Sequence, residues 1–259
     1  MKTIILAGGY GTRLGPVGEN MPKPMIEIGG KPILWHIMKY YSCFGFDEFI
    51  LLLGYKSRVI KEYFANYPII NNNFSIDLRS GEMNFYRPDD AGEKWKVTLL
   101  DTGLDNLKGS RIKQAEPFAG GGVHFLTYGD GVSNVDLKKL LVFHLSHKKM
   151  ITLTGVRPPS RFGELKLDGQ QVASFEEKPQ LSASGYINGG FMVFNSALFS
   201  LLSAEKECDF EFGVLEDLAR SGEVMMFAHD DFWECVDTER DLNYLNRLWT
   251  QGKASWKNW

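Results

Sequence analysis

Residues 3–14 read Thr3-Ile4-Ile5-Leu6-Ala7-Gly8-Gly9-Tyr10-Gly11-Thr12-Arg13-Leu14, followed by Met21-Pro22-Lys23-Pro24-Met25 and Gly29-Gly30-Lys31-Pro32. An apolar run with no polar alternation is the pattern of a strand buried on both faces. It leads straight into a glycine-rich turn. Glycine lets backbone N–H groups approach a polyanion closely, because no Cβ stands between them and the phosphate oxygens. Arg13 and Lys23 add a planar fork and a point charge. Together these features point to a nucleoside triphosphate site at the end of the first strand of an α/β sheet. A tight turn with no ligand is the plainer alternative, but such a turn has no use for both cations.

Two familiar phosphate loops do not fit. The dinucleotide fingerprint requires Gly or Ala at its last position, and Gly9-Tyr10-Gly11-Thr12-Arg13-Leu14 ends in Leu. It also expects an acid near the end of the second strand, where this chain has Leu51-Leu52-Leu53-Gly54-Tyr55. The P-loop needs Gly-Lys-Ser/Thr, and Gly30-Lys31-Pro32 lacks the hydroxyl.

Outward from this stretch, apolar strands alternate with helical patterns. Strands are expected at Thr3–Leu6, Glu48–Leu53, Val97–Asp101, Val123–Tyr128 and Ile151–Val156, and helices over Lys31–Phe44, Ser57–Asn66 and Val135–His147. That order implies an α/β fold with a mostly parallel, mixed central sheet flanked by helices. Phe74–Arg87 breaks the rhythm, with alternating residues around Ser80-Gly81, and predicts a β-hairpin insertion. A second hairpin pattern follows Leu165, with Asp168-Gly169 at its turn. No repeat or linker divides the chain, so residues 1–259 are expected to form one domain.

The 259 residues carry a net charge of −3, which argues against a nucleic-acid binder. Cys43, Cys208 and Cys235 are too scattered for a disulfide framework or a zinc site. No apolar run approaches the roughly 20 residues that span a bilayer, and a soluble cytoplasmic protein without membrane contact is the simplest expectation. His144 and His147 lie three apart on an expected helix, with no third ligand near, and an exposed helix face is the better reading. Trp249, Trp256 and Trp259 are expected to pack on the body or on a neighbouring subunit.

Four further stretches accompany the opening one: Tyr128-Gly129-Asp130, Phe175-Glu176-Glu177-Lys178-Pro179, Ile187-Asn188-Gly189-Gly190 and Trp233-Glu234-Cys235-Val236-Asp237-Thr238. Singly each says little; in this order they resemble the signature of the sugar-1-phosphate nucleotidylyltransferases across nearly the whole chain. Finer details are similar to the glucose-1-phosphate cytidylyltransferase branch: Gly29–Met38, Val97–Gly103, Thr127–Val132 and the ending Gly252-Lys253-Ala254-Ser255-Trp256-Lys257. The resemblance implies a Rossmann-like nucleotidyltransferase fold that makes CDP-glucose from CTP and glucose 1-phosphate, a precursor for dideoxyhexoses of surface polysaccharides. It implies Mg2+ as cofactor and a homo-oligomer, a hexamer by analogy with the branch. The spacing alone does not separate CTP from dTTP or UTP. A regulatory subunit that kept the fold and lost catalysis is the other alternative, against which stand Arg13, Lys23, Asp130 and Asp237.

The chemistry can be built from side chains. A phosphate monoester is already largely dianionic near pH 7, so its attack on the α-phosphorus needs no general base. Catalysis reduces to bringing two anions together and offsetting their repulsion. Leu6, Ala7, Gly8, Gly9, Gly11 and Thr12 would hold the nucleotide, with Arg13 on the leaving pyrophosphate and Lys23 on the α-phosphate. By the resemblance, Asp130 and Asp237 meet at one metal, Arg111 contacts the base with Thr102 and Gly129 nearby, and Glu177, Lys178 and Asn188 bind the sugar phosphate. The sugar-binding half would begin after about residue 160, after the strand at Ile151–Val156.

Overall fold

Residues 1–11, 21–86, 92–157, 164–168, 170–176 and 185–259 are described by the computed structural model of the chain. Seven strands form the central sheet in the order Val224–His229, Ile151–Val156, Ile187–Asn195, Val123–Tyr128, Thr3–Ala7, Glu48–Leu53, Lys96–Asp101. All neighbours run parallel except where Ile187–Asn195 meets Ile151–Val156 and Val123–Tyr128. The first strand therefore sits inside the sheet, with Ile4 opposite Ile50 on one side and Leu126 on the other.

Alternate residues of these strands feed two cores, because successive side chains leave a strand on opposite faces. On one face Ile5, Leu51, Phe125 and Val193 pack with Leu34, Ile37, Met38 and Tyr41 of the helix Ile33–Cys43. On the other, Ile4, Leu52, Leu126 and Phe194 pack with Ile112, Phe199, Phe210 and Leu218. Both faces being covered explains the unbroken apolar runs.

The expected strands and helices are present, with small differences at their ends. The helix expected from Lys31 starts at Ile33, because Lys31-Pro32 pairs with Glu27-Ile28 in a short antiparallel ribbon. The insertion is a hairpin of Asn73–Ile76 and Met83–Tyr86, with Phe74 opposite Phe85. Glu164–Asp168 and Gln171–Glu176 form the second hairpin; Gly169 of its expected turn lies outside the described residues. No helix among the described residues is long and apolar enough to cross a membrane.

One expectation needs correction. His144 is not on an exposed face: it is buried, its Nδ1 2.9 Å from Thr152 Oγ1, and His147 Nε2 lies 2.7 Å from the same hydroxyl. The aromatic tail packs on the body, as expected, and Trp256 is fully buried. Its ring stacks with Phe232 and Trp249, and its Nε1 donates to His36 Nδ1 at 3.3 Å.

Candidate active site

The parallel strands Thr3–Ala7, Glu48–Leu53, Lys96–Asp101 and Val123–Tyr128 finish at one edge, the edge where ligands of α/β sheets bind. There the helix Lys108–Gln114 sends Arg111 between the strand ends. Its Nη1 donates to Leu53 O at 3.0 Å, Thr102 Oγ1 at 2.8 Å and Gly103 O at 2.8 Å, and its Nη2 to Leu104 O at 3.0 Å. Thr102 Oγ1 in turn donates to Leu53 O at 2.7 Å. Burial lowers the Arg111 pKa, yet a guanidinium stays charged in a protein. A Cβ on Gly8 would stand 2.4 Å from Arg111 Nη1, and one on Gly54 2.5 Å from it. Glycine at both places is what lets the cation lie directly behind the turn.

Lys23 opens a short 3-10 turn, Lys23–Met25, between its two prolines. Its Nζ lies 2.7 Å from Asp130 Oδ2 and 2.7 Å from Asp237 Oδ1. Burial alone would push this ammonium down; Asp130 and then Asp237 more than reverse that, and its pKa is raised. Asp130 lies two residues past the end of the strand Val123–Tyr128. Asp237 reaches it because Trp233–Cys235 pairs antiparallel with Gly131–Ser133, and Val236 N donates to Asp130 O at 2.9 Å. The loop is then fixed from behind. Thr238 and Asp241 form a capping box at the helix Glu239–Thr250, and the buried Asp241 also accepts from Asp237 N at 3.2 Å.

Residues 2–251 match the family described as nucleotidyl transferase. The chain belongs to the nucleotidyl transferase family. It is 46% identical over 260 residues, covering 100% of both chains, to a glucose-1-phosphate cytidylyltransferase of Salmonella typhi. Identity to a D-glycero-alpha-D-manno-heptose 1-phosphate guanylyltransferase of Aneurinibacillus thermoaerophilus falls to 33% over 219 residues, covering 83% of this chain and 84% of that one. A solved inositol-1-phosphate CTP transferase from T. maritima shares the fold with a TM-score of 0.66 at 18% identity, over 99% of this chain and 96% of that one.

Within this nucleotidyl transferase, the remaining residues expected from the sequence fall at the strand ends, along the turn, beside the sheet edge or outside the described residues. Leu6, Ala7, Gly8, Thr102, Arg111 and Gly129 gather at the strand ends, with Gly129 N donating to Leu6 O at 2.9 Å. Gly9 and Gly11 continue the turn, and Gly11 has a positive φ of 66° and packs its backbone near Lys23. Asn188 begins the antiparallel strand beside this edge, its Nδ2 donating to Tyr128 OH at 3.3 Å and its Oδ1 accepting from Gly190 N at 3.0 Å. Thr12, Arg13, Glu177 and Lys178 lie outside the described residues.

Three residues escaped the sequence reading. Asp241 had a signal, the Thr-x-x-Asp spacing ahead of a helix. Glu211 had none: it sits between Phe210 and Phe212 in a segment with no recognisable motif. Its Oε1 accepts from Tyr128 OH and from Lys108 Nζ, both at 2.5 Å. Lys108 also lies over the Tyr128 ring, 5.4 Å from its centroid.

Proposed function

We propose that the chain transfers the cytidylyl group of CTP to α-D-glucose 1-phosphate, giving CDP-glucose and pyrophosphate. The observation that carries this reading is the 46% identity to the Salmonella typhi glucose-1-phosphate cytidylyltransferase along the full length of both chains. The nucleotide is expected along the turn Gly8–Gly11, over the buried Arg111 cation, with Arg13 toward the leaving pyrophosphate. Lys23 then faces the α-phosphate, where charge accumulates as the sugar-phosphate oxygen attacks in line. Lys178 is assigned to the acceptor phosphate, and Glu177 and Asn188 to sugar hydroxyls.

Asp130 and Asp237 suit a hard divalent cation. Their oxygens already converge at 2.7 Å each on one positive centre, the Lys23 ammonium. Mg2+ takes only one or two protein carboxylates beside phosphate and water, a number this pair meets. When bound, Mg2+ would supply electrostatic neutralisation of the nucleotide phosphates.

The whole chain would act as one nucleotidyltransferase domain, with nucleotide-binding elements before about residue 160 and sugar-binding ones after it, as in other sheets that bind ligands across one edge. We further expect a homo-oligomer, a hexamer by analogy. The support is the hairpin insertion, where Ile76, Leu78, Met83 and Tyr86 are exposed.

The deciding experiment is pyrophosphate release with glucose 1-phosphate and Mg2+ against CTP, UTP, dTTP, ATP and GTP in parallel. Turnover with CTP well above the others is the expected result. Preference for dTTP or UTP would move the chain to another specificity in the family, and no release with any of them would favour a regulatory role.

A further inference from the structure

Glu211 is held more firmly than an ordinary loop carboxylate. Asp209 accepts from Glu211 N at 2.9 Å and from Phe212 N at 3.3 Å. The preceding residues are tied to the helix Lys108–Gln114, since Leu107 N donates to Lys206 O and Ser110 N to Cys208 O. The helical path is then interrupted at Phe212 and Gly213. This segment thus delivers one carboxylate into the space beside Tyr128.

The two oxygens of that carboxylate are treated differently. Oε1 takes both the Tyr128 hydroxyl and the Lys108 ammonium. Oε2 is buried and finds no donor among the described residues. An ionised carboxylate has acceptor capacity on both oxygens, and leaving one buried oxygen unmet is costly. A buried acceptor left so in a folded protein calls for an explanation, a ligand being one.

Its surroundings narrow the ligand. Tyr128 precedes Asp130 by two residues and also receives the Asn188 amide, so Glu211 joins the metal-carboxylate strand to the strand of a proposed sugar contact. An anionic phosphate would be repelled by Oε2, and the nearby ammonium of Lys108 is paired with the other oxygen, Oε1. A neutral O–H donor fits both conditions. We infer that Glu211 Oε2 accepts a hydrogen bond from a hydroxyl of the acceptor sugar, with Tyr128 and Lys108 orienting the carboxylate. The inference rests on the proposed reading that the acceptor is a hexose 1-phosphate.

The test compares wild type with Glu211→Gln on glucose 1-phosphate and its 2-, 3-, 4- and 6-deoxy analogues. In the variant Tyr128 and Lys108 still require the remaining oxygen, so the free position turns from acceptor into N–H donor. The KM for glucose 1-phosphate should rise roughly tenfold or more, since a site built to bond a hydroxyl discriminates strongly. The KM for CTP should stay within about twofold, well below the change that one lost hydrogen bond produces. One deoxy analogue that is penalised in wild type should lose its penalty in the variant, and the others should keep theirs. Tyr128→Phe, which removes only the orienting hydroxyl, should shift the same analogue in the same direction by less, and it carries the test if Glu211→Gln does not fold. Unchanged penalties for all analogues, or a rise confined to the CTP KM, would overturn the inference. Failure of the underlying reading is separately visible, as wild type that does not join CTP to glucose 1-phosphate at all.

Discussion

Lys23 Nζ and Asp130 Oδ2, 107 positions apart in the chain, lie 2.7 Å from one another at the carboxyl edge of the sheet. With Asp237 on its other side, the ammonium stands between the two carboxylates assigned to the metal. On the proposed reading the same cation would serve two partners: the carboxylates in the free protein and the α-phosphate when nucleotide arrives.

Removing that cation should be felt mainly in the chemical step. For Lys23→Ala we expect kcat to fall by about two to three decades, the equivalent of about 3–4 kcal/mol, with modest change in either KM. Steady-state kinetics in both substrates checks this. Without nucleotide the variant should bind Mn2+ more tightly than wild type, by electron paramagnetic resonance titration, because a competing charge has gone. Weaker Mn2+ binding would contradict the shared-cation arrangement.

Asp237 should be needed for turnover but not for folding. Asp237→Ala is expected to abolish pyrophosphate release while its far-UV circular dichroism stays native, and EDTA should do the same to wild type. Full activity in excess chelator would remove the metal from the account.

His36 gives the protein an acid-side weakness. It is fully buried, its Nε2 donating to Ile28 O at 2.7 Å while Nδ1 accepts from Trp256, so the ring must be neutral. Burial lowers its pKa from 6.5 to about 4, despite the opposing Ile28 carbonyl. Between those values the unfolded chain binds the proton and the folded one does not. Stability is therefore full above pH 6.5 and falls as the pH drops toward 4, by about 3 kcal/mol from this group. Urea midpoints measured across that range should slope less steeply in His36→Asn than in wild type.

Trp256→Ala should behave as a core deletion rather than a tail trim. A cost of about 3–5 kcal/mol is expected, read from urea denaturation. A cost near zero would mean that the stack with Phe232 and Trp249 contributes nothing.

The exposed hairpin supplies the last prediction. Sedimentation should show a homo-oligomer, and Leu78→Asp, at a position 87% exposed, should shift it toward smaller species without unfolding the protomer. A monomer across micromolar concentrations would refute the expectation.

Much of this architecture was legible because the strand Glu48–Leu53 is apolar on both faces and those at Val123–Tyr128 and Ile151–Val156 are short, β-branched or aromatic runs bounded by turn residues. Lys23 and Asp130 could be singled out from their neighbours, but nothing local brings Asp237 to them. That meeting depends on a three-residue pairing of Trp233–Cys235 with Gly131–Ser133, too short to leave a pattern. His144 is buried for a reason the helix period contains: Leu137, Leu140 and His144 fall on one stripe, and that stripe faces the core. Glu211 is not legible in the sequence, because a single acid between two phenylalanines has no periodicity to betray it.

The bond from Trp256 to His36 spans 220 positions and joins the C-terminal tail to the helix Ile33–Cys43. While the polypeptide is still being made, the helix Ile33–Cys43 has long since left the ribosome, yet the indole that covers its first turn is not available. That flank of the core stays open to water until residue 256 emerges. The nascent protein must therefore carry an unfinished hydrophobic surface through almost all of its synthesis, which makes this face the natural place for a chaperone to hold it.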